Sequence, residues 1–431
     1  MTEEKIESIF VDSKLSKELY QDSQTTVGWI VECLINKSEE FNKIRGNLRI
    51  ASIEGHDISD GKGFLSKVYK TTIAFENKED SYVFIVKIPG AERFGETMNK
   101  EMDEDEIKLH DLKDESVVAM HNKEVKFYSK LIVQMPKLKV PKCFGFKDRV
   151  TRKDEGVILM EYLGVAGIMH DTFEPFNLEK VQSVLDELFI LQTSSLLIKD
   201  YWKGKYTPDV RSSGTSYIDA VFEDSWNLIK SLTTEDLYKD INQEVLNLAS
   251  HHAAIWEYNN HTVIKDNNSI LTHGNLWKNN ILFDRVNNES TNNVQVLIDW
   301  QTIIEGSLMK DIVFHLVLNT TADIRRHCLE VILPEYYEKF KDFVQQKNIV
   351  FDVSWDEFIE DYYYQLIEQG IILIIAVKIL FDSNKVSGDA EIEVWDKQKR
   401  NICKDVCLTL KDAIEGAKLV KSEWLIKNKK D

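Results

Sequence analysis

The sequence lacks three features that mark common classes of protein: a long apolar segment, an excess of basic residues and regularly spaced cysteines. Its longest apolar run, residues 370–381, contains Lys378 and is too short to cross a bilayer, since a spanning helix needs about 20 residues. We therefore expect a buried helix here and no membrane insertion. Acidic residues outnumber basic ones by 72 to 54, giving a net charge of −18. This charge argues against nucleic acid as a general partner, because phosphate binding needs basic patches.

The five cysteines are few and odd in number, which is typical of reduced thiols and not of a disulfide framework. Cys403 and Cys407 are spaced to share one helix face, but no nearby Cys or His completes a metal site. The first residues, MTEEKIESIF, are acidic and lack the basic and apolar regions of a signal peptide. With 43% hydrophobic residues, the chain has the composition of a globular protein. We expect a cytoplasmic globular protein.

The pattern of apolar residues divides the chain and predicts an α+β fold. Residues 1–46 look helical and polar, as in an N-terminal extension. Residues 47–163 are rich in strand-like segments and form a predicted small lobe. Residues 164–431 are mostly helical and form a predicted larger lobe.

Alternating β-branched and aromatic residues predict three strands in the first part, RIASIEG, FLSKVYKTTIAFE and SYVFIVKIPG. The short apolar run GVILMEYL predicts a fourth, buried strand. A helix is predicted between the third and fourth strands, over residues 115–135, and Pro136 ends it. In the helical part, ILTHGNLWKNNILF and NVQVLIDWQ predict a hairpin-like patch with an asparagine-rich turn at about 285–293.

Gly61 and Gly63 lie in a predicted turn between two strands, in SDGKGFLSKVYK. A backbone without Cβ atoms can approach phosphate groups closely, and the hydroxyl of Ser66 can join it. A Gly-x-Gly pair in a hairpin is also compatible with an ordinary turn. The segment is therefore a candidate phosphate-binding loop only if other residues support it.

Lys87 is a charged residue inside the apolar strand FIVKI, where a charge is costly unless it is paired. One interpretation places the ammonium in water at the end of the strand. The other pairs it with an acidic residue on the following helix, as in the lysine–glutamate pair that directs a lysine toward the phosphates of ATP. Glu124 is the natural partner because it precedes the apolar face of that helix, and Glu115 is the competing candidate.

The segment MEYL, which contains Glu161 and Leu163, ends the last strand of the first part and leads into a glycine-containing linker. Backbone groups of such a linker can bind the edge of an adenine ring. A plain connection between two domains explains the segment equally well.

The most specific segment is THGNLWKNNILF, followed by VLIDWQ. His273, Asn275, Asn280 and Asp299 fit the pattern His-x-Asp-x4-Asn followed by Asp after a strand, except that Asn stands at position 275. Phosphoryl transfer needs Mg²⁺ held by hard oxygen ligands, and Asp299 and Asn280 supply these. The residue at position 275 should accept or orient the acceptor hydroxyl, while His273 supports the loop by hydrogen bonding.

Together these segments resemble the CHK-kinase-like group, the ecdysteroid-kinase and choline-kinase/aminoglycoside-phosphotransferase relatives of protein kinases. The resemblance covers roughly residues 50–400. It is carried by GKGFLSKVYK, FIVKI, the helix with Glu124, LMEYL, HGNLWKNNIL and IDWQTIIEGSLMKDIVFHL. It implies a bilobal protein-kinase-like fold, ATP with Mg²⁺, and a small hydroxylated acceptor molecule. In such a fold, residues 47–163 are the nucleotide-binding N-lobe, and residues 164–431 are the C-lobe with the catalytic loop and the acceptor site.

The same resemblance assigns roles to individual residues. Lys87 and Glu124 match the phosphate-binding lysine and its partner, and Asn280 and Asp299 match the metal ligands. Asp311 matches a carboxylate that supports the catalytic loop. Asn275 matches the catalytic base and departs from it.

The departure at Asn275 leaves two hypotheses. An amide cannot accept a proton as a carboxylate does, and general-base catalysis contributes about 10² to 10⁴-fold, or roughly 3–5 kcal/mol. Phosphoryl transfer depends mostly on positioning and charge neutralisation, so the first hypothesis is a slow small-molecule kinase. The second is a catalytically silent, nucleotide-binding pseudokinase that binds a ligand or a protein partner.

Overall fold

The computed structural model describes residues 11–21, 23–59, 66–77, 79–90, 114–150, 154–208, 215–262, 268–383 and 389–427. The chain forms two compact units. The first contains the described residues up to Val133 together with Val140–Ile168 and Val296–Gln301, and the second contains the remainder. The predicted α+β class, with a β-rich first part and a larger, mostly helical second part, is confirmed. The domain boundaries given above at residues 46 and 163 stay predictions.

A five-stranded antiparallel sheet forms the centre of the first unit, in the order β1-β2-β3-β5-β4. Its strands are β1 (Ile50–Asp57), β2 (Ser66–Phe75), β3 (Ser81–Pro89), β4 (Cys143–Lys147) and β5 (Val157–Glu161). Four of these match the strands predicted from the sequence. Strand β4, with the sequence CFGFK, was not predicted because it is short and has no clean alternation.

Three helices near the N-terminus cover one face of this sheet: α1 (Ser13–Lys17), α2 (Val27–Lys37) and α3 (Glu39–Arg45). Apolar residues of α2 and α3, including Ile30, Leu34 and Phe41, share one buried core with Phe84 and Val86 of β3. Side chains alternate along a strand, so Ile85 and Lys87 leave β3 on the opposite face. The N-terminal segment is therefore packed on the sheet over the residues described.

Helix α4 (Asp114–Lys126) is shorter than the sequence pattern predicts. It continues as one π-helical turn, Phe127–Leu131, and a 3₁₀ turn, Ile132–Gln134, before Pro136. Phe127, Tyr128 and Leu131 of the π-helical turn are all buried. The periodicity of the sequence did not reveal this change in winding.

The second unit is built mainly from helices. They are α5 (Leu178–Leu197), α6 (Lys199–Trp202), α7 (Thr215–Ser231), α8 (Glu235–Tyr238), α9 (Asn242–Ser250), α10 (His252–Glu257), α11 (Lys310–Asn319), α12 (Ala322–His327), α13 (Leu333–Gln346), α14 (Trp355–Ser383) and α15 (Asp389–Val420). Residues 370–375 of the long apolar run lie on α14 and are largely buried, as in the predicted buried helix. Among the described residues, no helix is long and apolar enough to cross a membrane.

Short strands carry the glycine- and asparagine-rich loops of the second part. They are β6 (Gly167–Met169), β7 (Ile270–Thr272), β8 (Ile281–Val286), β9 (Glu289–Leu297) and β10 (Ile304–Gly306). Strands β8 and β9 form the predicted hairpin, and its turn residues Asn287 and Asn288 have φ of 53° and 67°. Asparagine tolerates positive φ, which explains the asparagine-rich turn.

Candidate active site

Lys87 lies near the end of β3, the central strand of the first unit, which pairs with β2 on one side and β5 on the other. Only 7% of the residue is exposed. Its ammonium Nζ donates to Oε2 of Glu124 at 2.6 Å and to Oδ1 of Asp299 at 2.5 Å. Glu124, on α4, is itself 1% exposed, whereas the competing candidate Glu115 is exposed. Lys87 is therefore paired inside the protein and does not extend into water.

The two carboxylates determine the charge state of Lys87. Burial alone lowers the pKa of Lys87, but the nearby Asp299 and Glu124 more than offset this and hold it above its usual value. Burial raises the pKa of Glu124, and the Lys87 ammonium opposes that rise. A positive charge held between two carboxylates is the main electrostatic feature of the first unit.

Asp299 reaches Lys87 because the chain turns sharply after β9. Its φ is +66°, a left-handed conformation that Asp tolerates better than most residues. The next residue, Trp300, is fully buried and stacks on Phe127, with ring centroids 4.0 Å apart. The side chain of Gln301 donates to Oδ2 of Asp299 at 3.1 Å. These contacts fix the Asp299 carboxylate beside the helix that carries Glu124.

The second unit holds the glycine-containing loop that follows β7. Buried Asp311, near the start of α11, accepts from the backbone N–H of His273 at 2.5 Å and of Gly274 at 2.9 Å. Burial raises the pKa of Asp311, while His273 and the two backbone amides oppose the rise. His273 is buried, and its Nδ1 accepts from the backbone N–H of Asn275 at 3.3 Å. In the structure, both His273 and Asp311 hold the loop.

Gly274 is required by its surroundings. Its φ is +79°, and a Cβ atom built there would lie 2.5 Å from the carbonyl oxygen of Thr302. The hydroxyl of Thr302 in turn donates to the carbonyl of His273 at 3.0 Å. A side chain at position 274 would push these two segments apart.

Asn275 and Asn280 lie at the two ends of the same short loop. Residues Lys278–Asn280 form a 3₁₀ turn at the end of the loop. From this turn, the side-chain Nδ2 of Asn280 donates to the backbone carbonyl of Asn275 at 2.8 Å. This bond orients the Asn280 amide, with its Oδ1 on the side away from that carbonyl. Asn275 is half-buried.

Lys278 is a residue of this loop that the sequence reasoning did not identify. It is 8% exposed, and its Nζ donates to the carbonyls of Thr172 at 3.0 Å and Glu174 at 2.6 Å. Burial lowers its pKa to about 8, with Asp171 and Glu174 opposing. The sequence does contain an indication of its burial, since Lys278 in LWKNNIL has apolar residues on both sides, as Lys87 has in FIVKI.

The remaining predicted cofactor residues are less informative. Gly61 and Gly63 lie outside the described residues, and Ser66 is the buried first residue of β2. The Glu161 carboxylate accepts from the backbone N–H of Lys142 at 2.7 Å. The carbonyl of Leu163 accepts from the N–H of Ala166 and Gly167 in the turn that follows β5. Binding of a nucleotide by these residues stays a prediction.

Asn280 and Asp299 each carry a side-chain oxygen of the kind that binds magnesium. One supplies an amide oxygen and the other a carboxylate, the hard oxygen ligands that Mg²⁺ prefers. Asp299 belongs to the first unit and Asn280 to the second. Their assignment as metal ligands stays a prediction.

The chain belongs to the DUF1679 family, described as "Uncharacterized oxidoreductase dhs-27", whose model matches residues 43–416. It is similar to the Caenorhabditis elegans protein "Uncharacterized oxidoreductase dhs-27", with 24% identity over 390 residues. That match covers 87% of this chain and 45% of the relative. The chain thus spans about half the length of the curated relative it matches.

Similar solved structures include aminoglycoside phosphotransferases. A putative aminoglycoside phosphotransferase from Ralstonia eutropha JMP134 is 12% identical with a TM-score of 0.39, covering 89% of this chain and 98% of that one. The GDP complex of aminoglycoside 2'-phosphotransferase-IIIa is 12% identical with a TM-score of 0.41, covering 88% and 97%. Spectinomycin phosphotransferase APH(9)-Ia, in complex with ADP and spectinomycin, is 10% identical with a TM-score of 0.39, covering 86% and 97%.

Proposed function

We propose that this protein is an ATP- and Mg²⁺-dependent phosphotransferase of the CHK-kinase-like type. It transfers a phosphoryl group to a hydroxyl of a small molecule, and it is slow because Asn275 stands at the position of the catalytic base. The observation that carries the proposal is the buried Lys87, held between Glu124 and Asp299 at 2.6 Å and 2.5 Å.

The cost of this arrangement supports a function beyond stability. Lys87 and Glu124 are buried and Asp299 is partly buried, and removing such charges from water costs more than filling the same space with apolar residues. A kinase needs such a lysine, oriented by a glutamate, to neutralise phosphate charge. The order of His273, Asn280 and Asp299 along the chain also follows the motif His-x-Asp-x4-Asn followed by Asp, which the chain departs from only at Asn275.

In the proposed function, Asn280 and Asp299 hold Mg²⁺, which neutralises charge on the phosphates when bound. Lys87 binds the phosphates, and Glu124 keeps its ammonium oriented. Asp311 and His273 hold the loop, and Asn275 orients the acceptor hydroxyl by hydrogen bonding. The proton of that hydroxyl leaves to the phosphate or to water, because a neutral amide does not take it up.

Asn275 favours a second candidate, a pseudokinase that binds nucleotide without turnover. The lysine, its glutamate and both metal-ligand positions are present in this chain, and a protein that only binds ligands does not need all of them. The oxidoreductase name belongs to a relative more than half of which lies outside the match, so no oxidoreductase activity is proposed for this chain.

The test combines binding and turnover. Thermal unfolding with and without Mg-ATP, and ADP release with a panel of small alcohols, should be measured for the wild type and for Asp299→Asn. This substitution removes the charge while keeping a side chain that tolerates the left-handed backbone. We expect stabilisation by Mg-ATP and slow ADP release in the wild type, with both reduced in the variant. No stabilisation by Mg-ATP in the wild type would refute both candidates, and stabilisation without turnover would favour the pseudokinase.

A further inference from the structure

Residues 171–174 lie against the catalytic loop and are joined to it by side-chain bonds. The ammonium of Lys278 donates to two backbone carbonyls of this segment, those of Thr172 and Glu174, at 3.0 and 2.6 Å. The Thr172 hydroxyl donates to Oδ1 of Asn279 at 3.1 Å. We call residues 171–174 the clamp segment. Two consecutive loop residues, Lys278 and Asn279, therefore bind it.

The next part of the chain adds a third connection. The backbone N–H of Phe176 donates to the carbonyl of Asn319, on α11, at 2.8 Å. The side chain of the same Asn319 donates to the carbonyl of Leu276 in the loop at 2.9 Å. Asn319 of α11 therefore connects the loop to Phe176, which follows the clamp segment in the second unit.

The choice of lysine at position 278 is informative. Within the described part of the chain, its hydrogen-bond partners are backbone carbonyls, and a buried ammonium paired in this way is costly. An apolar residue would avoid this cost but would remove the donor that these two carbonyls share. Lysine gives two charge-assisted bonds from one point, which fixes its position more firmly than packing alone.

We propose that Lys278 is a positioning residue, which fixes the catalytic loop to the clamp segment so that Asn275 and Asn280 keep their working geometry. This inference rests on the proposed function. Lys278 begins the 3₁₀ turn that ends at Asn280, and Asn280 bonds back to Asn275. A shift at Lys278 is passed to both residues, because the turn is only three residues long.

The test compares Lys278→Met, Lys278→Arg and the matched control Lys180→Met. Lys180 is also a buried lysine of the second unit, 4% exposed, but it donates to Ser290 and Thr291 in the β8–β9 hairpin. Three quantities are measured on the full chain: amide hydrogen exchange of residues 273–280, the Mg²⁺ concentration that gives half-maximal stabilisation by ATP, and kcat and KM for ATP.

For Lys278→Met we expect faster exchange in the loop, a several-fold higher Mg²⁺ requirement, and kcat lower by about 10- to 100-fold with KM for ATP changed less. Lys278→Arg should stay close to the wild type in all three quantities, since a guanidinium can also donate to two carbonyls. Lys180→Met should lower stability without changing exchange of the loop, the Mg²⁺ requirement or kcat.

Unchanged loop exchange in Lys278→Met would overturn the inference. Faster exchange with an unchanged Mg²⁺ requirement and unchanged kcat would show a purely structural role and would overturn it as well. If the wild type does not bind Mg-ATP, the proposed function fails. In that case faster loop exchange in Lys278→Met, absent in Lys180→Met, still supports fixation of the loop by Lys278, and equal exchange refutes it.

Discussion

The ammonium of Lys87 lies 2.5 Å from the carboxylate of Asp299, a residue 212 positions later in the chain. The same ammonium binds Glu124, so one buried cation is shared by two carboxylates. Asp299 is the predicted metal ligand and Lys87 the predicted phosphate ligand. In this structure the two residues form an ion pair with each other, and both would have to change partners for Mg²⁺ and ATP to bind.

Glu124→Gln should reduce nucleotide binding and lower stability by about 1–3 kcal/mol, because it leaves Lys87 with one charged partner and alters a buried hydrogen bond. Urea unfolding and thermal shifts with Mg-ATP measure the two effects. Glu115→Gln makes the same chemical change at an exposed position of the same helix and should stay within about 0.5 kcal/mol of the wild type. Equal effects of the two substitutions would rule out a special role for Glu124.

Asn275→Asp should raise the rate of phosphoryl transfer by about 10² to 10⁴-fold, because it restores a general base. Rates of ADP release with the best acceptor provide the measurement, in protein shown to be free of host kinases. Asn293→Asp adds the same charge at an exposed position of β9 and should leave the rate unchanged. A rate that Asn275→Asp does not raise would argue against position 275 as the base position.

Gly274→Ala should destabilise the protein more than Gly204→Ala does. Both glycines have positive φ, +79° and +74°, so both substitutions bear a similar backbone penalty. A Cβ at position 274 also meets the carbonyl of Thr302 at 2.5 Å, whereas nothing lies within 4 Å at position 204. We expect an additional loss of about 1–3 kcal/mol in Gly274→Ala from this overlap. Denaturant unfolding measures the free energy of unfolding of both variants. An equal decrease in the two variants would contradict the prediction, because it would show that the loop adjusts to the added Cβ at no cost.

Asp361→Asn should weaken the pH dependence of stability. Asp361 is buried on α14, where it accepts from the backbone N–H of Met309 and the side chain of Gln365. Burial raises its pKa to about 6 from an ordinary value of 3.8, although these bonds and the nearby Lys310 lower it. The native state therefore binds this proton more tightly than the unfolded state does.

The sign follows from that difference. The stabilising contribution of the Asp361 proton is complete below about pH 4 and is lost as the pH rises through 6, a change of about 3 kcal/mol. Urea unfolding between pH 4 and 7 should show this loss in the wild type and a smaller one in Asp361→Asn. Asp356→Asn, at an exposed position of the same helix, should follow the wild type. Parallel curves for Asp361→Asn and the wild type would contradict the prediction.

Much of the fold was predictable because its elements have strong local signals. Alternating apolar residues revealed β2 and β3, and the asparagine-rich stretch revealed the turn at Asn287 and Asn288. Strand β4 was missed because five residues with a glycine in the middle give no clear period. The π-helical turn at Phe127–Leu131 was missed because the apolar spacing there fits an ordinary α-helix equally well.

The sequence by itself determined which residues to examine. A lysine in an apolar strand, a glutamate before an apolar helix face and a fixed spacing of polar residues are all local patterns. Only the tertiary structure decided that Lys87 binds Asp299 as well as Glu124, and that Lys278 holds the clamp segment. The reason is physical. A charge within an apolar segment must be paired, which the sequence shows, but which residue pairs with it depends on how distant segments pack.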